Sequence, residues 1–413
     1  MKYIFVAVLL TLKAGASAPD AFFDRAAPVS LPLPPAPQAP SGVEALKKKG
    51  PTPVPPDLAQ ARSLVGNDAM LARMAPLPSG SPFSFVEIGD AEHGRFWWER
   101  IFSPEKSAFV NQWRALQAAG VDFAFQLGDF VSEGNAENYR AHVKVIVAEA
   151  VRPLLRCVGN HDRSRPNGDA DKNLYDAVFG ARDYFYDHGG WRFVSLDSSD
   201  RKVTAAQLAW LKKALAVPGP KVIFTHVPPD YIKSITPLKE VGALEEWSAD
   251  KDAQDEQKGY LSDFFTNYFK DGSTEFEELV SNNGVKAVYM GHIHAFWAAD
   301  HRGVRYIISG GGGSPLYPLP PGYPKKKFAH VLNVTVTPKG LVETVVPYKG
   351  TPFVLPPVKP STRRRPQALS LPRRLHRIRV GIGPQHRRRQ RHHLRRGAVG
   401  HFERAHVQRR DAQ

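Results

Sequence analysis

Residues 154–162 read Leu-Leu-Arg-Cys-Val-Gly-Asn-His-Asp, a short apolar run that stops at a glycine and is followed at once by side chains able to bind metal or move protons. Such a run, bounded by a turn signal, reads as a buried strand whose carboxyl end presents chemistry. The same grammar recurs along the chain. Upstream, Phe83–Ile88 leads into Gly89-Asp90-Ala91-Glu92-His93, and Phe123–Leu127 into Gly128-Asp129-Phe130-Val131-Ser132-Glu133-Gly134. Downstream, Val222–Thr225 leads into His226-Val227-Pro228-Pro229, and Val285–Met290 into Gly291-His292-Ile293-His294. Val304–Ser309 is a sixth strand candidate, and Leu154–Val158 is the strand of the opening stretch.

Helical patterns lie between these runs, at Glu105–Ala119, Ala136–Ala150, Thr204–Ala216 and Glu275–Asn282. Alternating strand and helix predicts an α/β domain. Tyr184–Tyr186, Trp191–Leu196, Ala329–Thr337 and Leu341–Val346 lack long intervening helices and predict hairpins extending a second sheet. In α/β sheets the carboxyl ends of strands converge on one edge, so motifs far apart in sequence meet there. The glycine ahead of each donor is expected to let the backbone turn sharply and approach closely.

The donors brought together in this way are Asp90, Asp129, Asn160, His161, His226, His292 and His294. Oxygen and imidazole without sulfur suit Mn, Fe, Zn or Co, and the histidine content is too high for a Mg or Ca site. There are donors enough for two ions, and paired ions clamp both the attacking and the leaving oxygen of a phosphoryl group. Singly, each residue has an ordinary explanation: Asp129 as a turn residue, Asn160 as an Asx turn, His226 as a packed histidine. Their joint order decides for metal. The lone cysteine, Cys157, excludes an intramolecular disulfide framework and any cysteine zinc cluster, and is expected to pack inside a strand.

With these five motifs in order, the sequence resembles the calcineurin-like metallophosphoesterases, whose members carry DxH, GDxx, GNHD/E, a strand-end His and GHxH. The resemblance covers roughly residues 84 to 346. It implies a four-layer sandwich of two facing mixed β-sheets flanked by helices, and a phosphate-ester hydrolase with two divalent metal ions and a bridging hydroxide nucleophile. By motif position, Asp129 would bridge the ions. Asp90 and His294 would hold the first, and Asn160, His226 and His292 the second. His161 would bind no metal and would instead protonate the leaving oxygen or stabilise charge on the phosphoryl group.

The chain departs from the family at DxH, where Glu92 stands in place of the histidine and His93 follows. Glu92 as an oxygen donor, His93 after a shift of the loop, and neither residue are three open readings. In its later part the chain is similar to purple acid phosphatases, with the glycine run Gly310–Gly313 and Pro315-Leu316-Tyr317 after GHIH. The position of their metal-binding tyrosine is Ser132 here, so a coloured Fe(III) site is not expected and metal identity stays open among Mn, Fe and Zn. Trp97, Trp98, Phe296 and Trp297 flank the motifs either as core residues or as stacking surfaces for a base or aryl ester. Arg163 and Arg165 are candidate phosphate partners or solvated arginines. Residues 228–259 and 315–324 are expected to rim the pocket.

The flanks differ in composition. Lys2, the apolar run Tyr3–Leu12 and the small residues to Ala18 form a signal-peptide pattern too short to span a bilayer, so residues 1–18 predict export to a periplasmic or secreted location. Ten prolines fall between residues 28 and 56, and residues 19–82 are read as a proline-rich linker ahead of a phosphoesterase domain at 83–348. Residues 349–413 are read as an Arg/His-rich disordered tail. From Ser361 onward there are 16 Arg, no Lys and two acids, or 16 − 2 = +14 of the net +16, which leaves the rest of the chain near neutral. Arginine without lysine is the signature of a GC-rich gene read out of frame, so the tail reads as a frameshift product or an inert arm. A contact with nucleic acid or another anionic surface is the alternative. The substrate expected is a phosphomonoester or small phosphodiester, with a nuclease and a catalytically weak metal-bearing binding protein as rivals.

Overall fold

The computed structural model describes residues 51–91, 120–236, 238, 267–314, 316 and 328–358. Two six-stranded mixed sheets face each other. The first has the order β12-β11-β10-β1-β2-β3, with β1 Phe83–Ile88, β2 Phe123–Gln126, β3 Leu154–Arg156, β10 His330–Thr337, β11 Gly340–Pro347 and β12 Phe353–Val354. The second runs β4-β5-β6-β7-β9-β8, with β4 Tyr184–His188, β5 Trp191–Leu196, β6 Lys221–Thr225, β7 Val285–Met290, β8 Phe296–His301 and β9 Val304–Ser309. β1, β2 and β3 are parallel, as are β5, β6, β7 and β9, so their carboxyl ends emerge along one edge. The four-layer sandwich implied by the resemblance is the fold observed; both expected hairpins form, but β10–β11 extends the first sheet beside β1 and only β4–β5 belongs to the second.

An aromatic seam joins the sheets. Phe125 of β2 lies on Phe224 of β6 with ring centroids 3.8 Å apart, and Phe85 of β1 meets Phe193, Phe224 and Tyr289 edge-on at 5.5 to 6.2 Å. These rings are buried, and stacked or edge-to-face pairs add to what their burial already contributes. A second apolar cluster covers the outer face of the second sheet. There Leu211 and Leu215 of α5 (Ala205–Leu215) and Phe276 and Val280 of α6 (Ser273–Asn282) pack with strand residues such as Ile223, Val288 and Ile308. Helix α5 starts at a capping box in which Thr204 and Gln207 satisfy each other's backbone N–H. Gln207 Nε2 also donates to Asp183 and to the Asp197 carbonyl, pinning the helix start to the exit of β5.

The first sheet is covered by α3 (Ala136–Glu149) and α4 (Asn173–Phe179), and also by two helices that the sequence reading had placed in the linker: α1 (Pro56–Val65) and α2 (Asn67–Ala72). The linker reading therefore fails from residue 56 onward. The proline-dense stretch ends at Pro56, which sits at the first turn of α1 where its missing N–H costs nothing, and Leu58, Ala61 and Val65 then recur at helical spacing and are buried in the main core. Cys157 is fully buried, and burial pushes its thiol well above the ordinary range, in line with a packing role. The tail reading, which began at residue 349, is corrected at its start: Phe353–Val354 pairs with β11 and Leu355 is buried in the main core. Residues 1–50 and 359–413, which include the expected signal peptide, the start of the expected linker and the Arg-rich segment, lie outside the described residues, as does the helix expected at 105–119.

Because α1 contributes to the core, Leu58→Ala should destabilise the domain by about 2 to 4 kcal/mol in a denaturant titration, in the manner of other buried Leu truncations. An unchanged midpoint would return residues 56–65 to the linker.

Candidate metal centre

Asp90, Asp129, Asn160, His226, His292 and His294 all leave the carboxyl ends of parallel strands β1, β2, β3, β6 and β7, and all are at most 9% exposed. The turn at three of them is made by the ligand residue itself: Asp90, Asp129 and His292 have φ of 53, 48 and 71°, the left-handed region that non-glycine residues adopt at a cost. The expectation that the preceding glycine does the turning holds at Gly128, whose φ is 86°, and needs correction elsewhere. Gly89 and Gly291 have no positive φ; they are glycines because there is no room for a side chain. A Cβ on Gly89 would stand 2.2 Å from the Ser309 carbonyl oxygen, and one on Gly159 would stand 2.1 Å from Asp129 Oδ1.

The loops are held by one carboxylate. Asp162 Oδ2 accepts the N–H groups of Asp129 (2.9 Å) and Gly159 (2.7 Å), and Oδ1 those of Phe130 (3.0 Å) and Val131 (3.3 Å). Burial and the neighbouring Asp129 charge push the Asp162 carboxyl up, while the N–H donors pull the other way. Asp162 was in view as the last letter of GNHD yet had no role in the sequence reading. A short carboxylate next to a glycine turn, where several backbone N–H groups lose their partners, was the available signal.

Two donor groups share one residue. Asp129, His226 and His292 form one and Asp90, Asp129 and His294 the other, with ligand atoms within 4.8 Å of one another in each. His226 Nε2 lies 3.1 Å from Asp129 Oδ2 and 3.1 Å from Asn160 Oδ1, and His294 Nε2 lies 3.4 Å from Asp90 Oδ1. Donors about 2.1 Å from a common ion sit about 3.0 to 3.4 Å apart, so these spacings match the edges of coordination polyhedra.

The protonation pattern carries the fit further. His226 Nδ1 is 2.7 Å from the Leu127 carbonyl oxygen, to which it donates, so a neutral ring turns a bare lone pair at Nε2 toward two oxygens. Only a cation at or beside Nε2 removes that repulsion. Burial alone would lower the His226 pKa, but the Asp129 charge outweighs it and raises it to about 9. Asp129 is held below the usual carboxylate range by the imidazoles of His226 and His161 despite its burial. Burial and the positive charge of His226 push His292 well below the ordinary histidine range, toward the neutral ligand form, and its buried Nε2 has no hydrogen-bond partner. Among the described residues no Lys or Arg ion-pairs with Asp90 or Asp129, so two buried carboxylates face only imidazoles and backbone N–H groups. A pair of divalent cations fits that deficit.

His161 belongs to neither donor group. Its backbone N–H donates to Asp129 Oδ1 at 2.8 Å and its Nδ1 lies 2.9 Å from the Ser132 carbonyl oxygen, which orients the ring. Glu92 and His93 lie outside the described residues, as do Trp97 and Trp98, most of the expected rim at 228–259 and nearly all of the loop at 315–324. The alternative roles given to Phe296 and Trp297 resolve to core packing: each is 1% exposed in β8, a strand absent from the sequence reading. Arg163 is not a phosphate partner. It is buried, pairs with Asp200 Oδ1 at 2.6 Å and donates to the carbonyls of Asn160, Pro166 and Gly168. Arg165 is spent on the Asp169 carbonyl at 2.8 Å.

With this geometry in place, the comparisons say what the chain is similar to. The model of the calcineurin-like phosphoesterase family matches residues 103–296. Curated relatives include a probable cyclic nucleotide phosphodiesterase of Fibrobacter succinogenes, 26% identical over 123 residues that cover 29% of this chain and 47% of that one. Another, from Rhodococcus erythropolis, is 32% identical over 117 residues that cover 25% of this chain and 37% of that one. The match thus spans less than half the length of either relative. Similar solved structures include a purple acid phosphatase from yellow lupin seeds, with TM-score 0.49 and 16% identity, covering 68% of this chain and 54% of that one. A dimetal phosphatase from Danio rerio has TM-score 0.43 and 13% identity, covering 66% of this chain and 98% of that one.

Asp162→Asn tests the clamp. Either orientation of the amide turns an NH₂ group toward two backbone N–H donors, so the variant should lose about 2 to 3 kcal/mol of stability. Metal should bind 10-fold or more weakly, read by competition with a chelator, as for other residues that support metal ligands. Wild-type metal affinity in the variant would remove Asp162 from this role.

Proposed function

We propose that the domain hydrolyses phosphate esters at a two-metal centre. The observation that carries this reading is Asp129, a single buried carboxylate common to both donor groups. Two divalent ions there would supply a hydroxide nucleophile at neutral pH and neutralise the phosphoryl oxygens. The chain's residues then divide the work. Asp129 couples the two sites. Asp90 and His294 hold one, while Asn160, His226 and His292 hold the other, and Leu127 fixes the His226 tautomer. His161, oriented through the Ser132 carbonyl, delivers a proton from Nε2 to the leaving oxygen as the phosphorus–oxygen bond breaks and water adds its oxygen to phosphorus.

The names of the curated relatives, probable cyclic nucleotide phosphodiesterases, support a small phosphodiester as substrate. A phosphomonoester, the other substrate expected from the sequence, is the second reading. The leader-like residues 1–18 support export, and no helix among the described residues is long and apolar enough to cross a membrane.

The full chain, stripped and reloaded with Mn, Fe or Zn, should turn over bis(p-nitrophenyl) phosphate or p-nitrophenyl phosphate only when metal is present. Asp129→Asn should lose the paired metals and nearly all activity. His161→Ala should keep its metal and lose rate by roughly 10²-fold. Equal metal loss in both variants would refute the separate roles, and absence of turnover with every metal would refute the enzyme.

A further inference from the structure

His330 is the first residue of β10, and β10 runs antiparallel to β1 with Glu87 opposite Leu332, so this histidine stands beside the exit of β1 that leads to Asp90. It is fully buried. Its Nδ1 lies 2.9 Å from the Phe328 carbonyl oxygen, to which it donates, and its ring meets that of Phe328 at 4.8 Å and that of Phe296, edge-on, at 5.2 Å. Burial lowers its pKa to about 4, so the imidazole is neutral. Nε2 then carries a lone pair with no hydrogen-bond partner. A phenylalanine would fill such a site without leaving a polar atom unsatisfied, so what the histidine adds is the Nδ1–H bond that fixes the plane of the ring.

The glycine run after β9 rests on this fixed ring. The His330 N–H donates to the Gly311 carbonyl at 2.9 Å, and a Cβ on Gly311 would stand 2.1 Å from His330 Nδ1 and 2.4 Å from Cε1. Gly311 has no positive φ, so it is a glycine for that contact and not for its backbone conformation. The same run touches the first donor group. A Cβ on Gly310 would stand 3.0 Å from Asp90 Oδ2, and the Gly310 N–H donates at 3.1 Å to the carbonyl of Ala295, next to His294. Gly310 and Gly311 are adjacent, so close packing passes a shift at the imidazole directly to both ligands, whose Oδ1 and Nε2 are 3.4 Å apart.

We propose that His330 is a positioning residue of the metal centre: its imidazole sets the depth of the glycine run and, through it, the separation of Asp90 and His294. It binds neither metal nor substrate. This rests on the two-metal reading of the site and deepens it by naming what supports the first ion.

The test loads the full chain with Mn and reads, beside ester turnover, Mn affinity by competition with a chelator and the EPR spectrum, which separates a spin-coupled pair from an isolated ion. Gly311→Ala should bind one ion about 10-fold more weakly and keep the other within about threefold, and at limiting Mn its spectrum should match that of Asp90→Asn, the variant that disables the first site. His330→Phe, which keeps a ring and loses the N–H, should show the same selective loss. His330→Asn, whose amide can place an N–H at the position of Nδ1, should recover part of it. Removing the ring makes room for the added methyl, so Gly311→Ala combined with His330→Ala should bind the first ion more tightly than Gly311→Ala alone, a non-additivity that two independent losses would not give. Parental affinity for both ions in Gly311→Ala and His330→Phe would overturn the proposal, as would equal weakening of the two ions or additive losses in the double variant. A parent chain that holds fewer than two Mn ions would overturn the two-metal reading and this proposal with it, whereas two ions in the parent and no selective loss in the variants would overturn this proposal alone.

Discussion

Everything at the site depends on the Asp162 carboxylate. Parallel strands that stop at one edge leave their last backbone N–H groups without ladder partners, and β2 and β3 stop side by side. Asp162 takes four of those N–H groups from both loops at once. A charged acceptor makes each such bond stronger than a neutral one. Held in this way, Asp129 can keep the left-handed backbone that turns its carboxylate into the cleft, and the His161 N–H can reach Asp129 Oδ1. Strain at one ligand is thereby balanced by hydrogen bonds at its neighbours rather than within the ligand itself.

Glycines set how closely the loops approach. The run after β9 folds over the first donor group: Gly312 donates to the Gly89 carbonyl at 2.8 Å and Ser314 to the Asp90 carbonyl at 3.0 Å. A Cβ on Gly310 would lie 2.1 Å from the Ile293 oxygen, and one on Gly312 2.3 Å from that of Gly89. Three loops interlock there with no space for side chains. The glycine run that resembled a family signature is therefore a packing requirement of the loops around Asp90 and His294.

Much of this was legible in the sequence because strand ends carry a strong local signal. The strands that lead to the candidate ligands were found from apolar runs ending in a donor, with Gly ahead of it in all but His226, where Thr225 stands; the roles given to the six candidate ligands and His161 came from the family resemblance. What stayed hidden depended on partners distant in sequence. Helices α1 and α2 followed a proline-rich stretch whose composition masked a short apolar stripe. The strand β8, with Ala298 and Ala299 at its centre, has little β propensity of its own and exists as the hairpin partner of β9. Arg163 looked exposed beside its motif, and only the fold shows that Asp200, 37 residues on, claims it.

The core and the site are parts of one arrangement. Asp129 and His226 meet across the gap between the sheets at 3.1 Å, and two residues before His226, Phe224 stacks on Phe125 at 3.8 Å. Likewise Asp90 comes from β1 and His292 and His294 from beyond β7, and beneath them Phe85 meets Tyr289 at 6.2 Å. Each donor group thus draws on both sheets, directly above an aromatic contact that sets the sheets' separation. Close-packed interiors transmit small displacements rather than absorbing them, and coordination tolerates only a few tenths of an ångström. The seam of phenylalanines is therefore what brings carboxylates from one sheet and imidazoles from the other to the spacing of a shared ion, and metal bound there would in turn hold the two sheets together at their open edge.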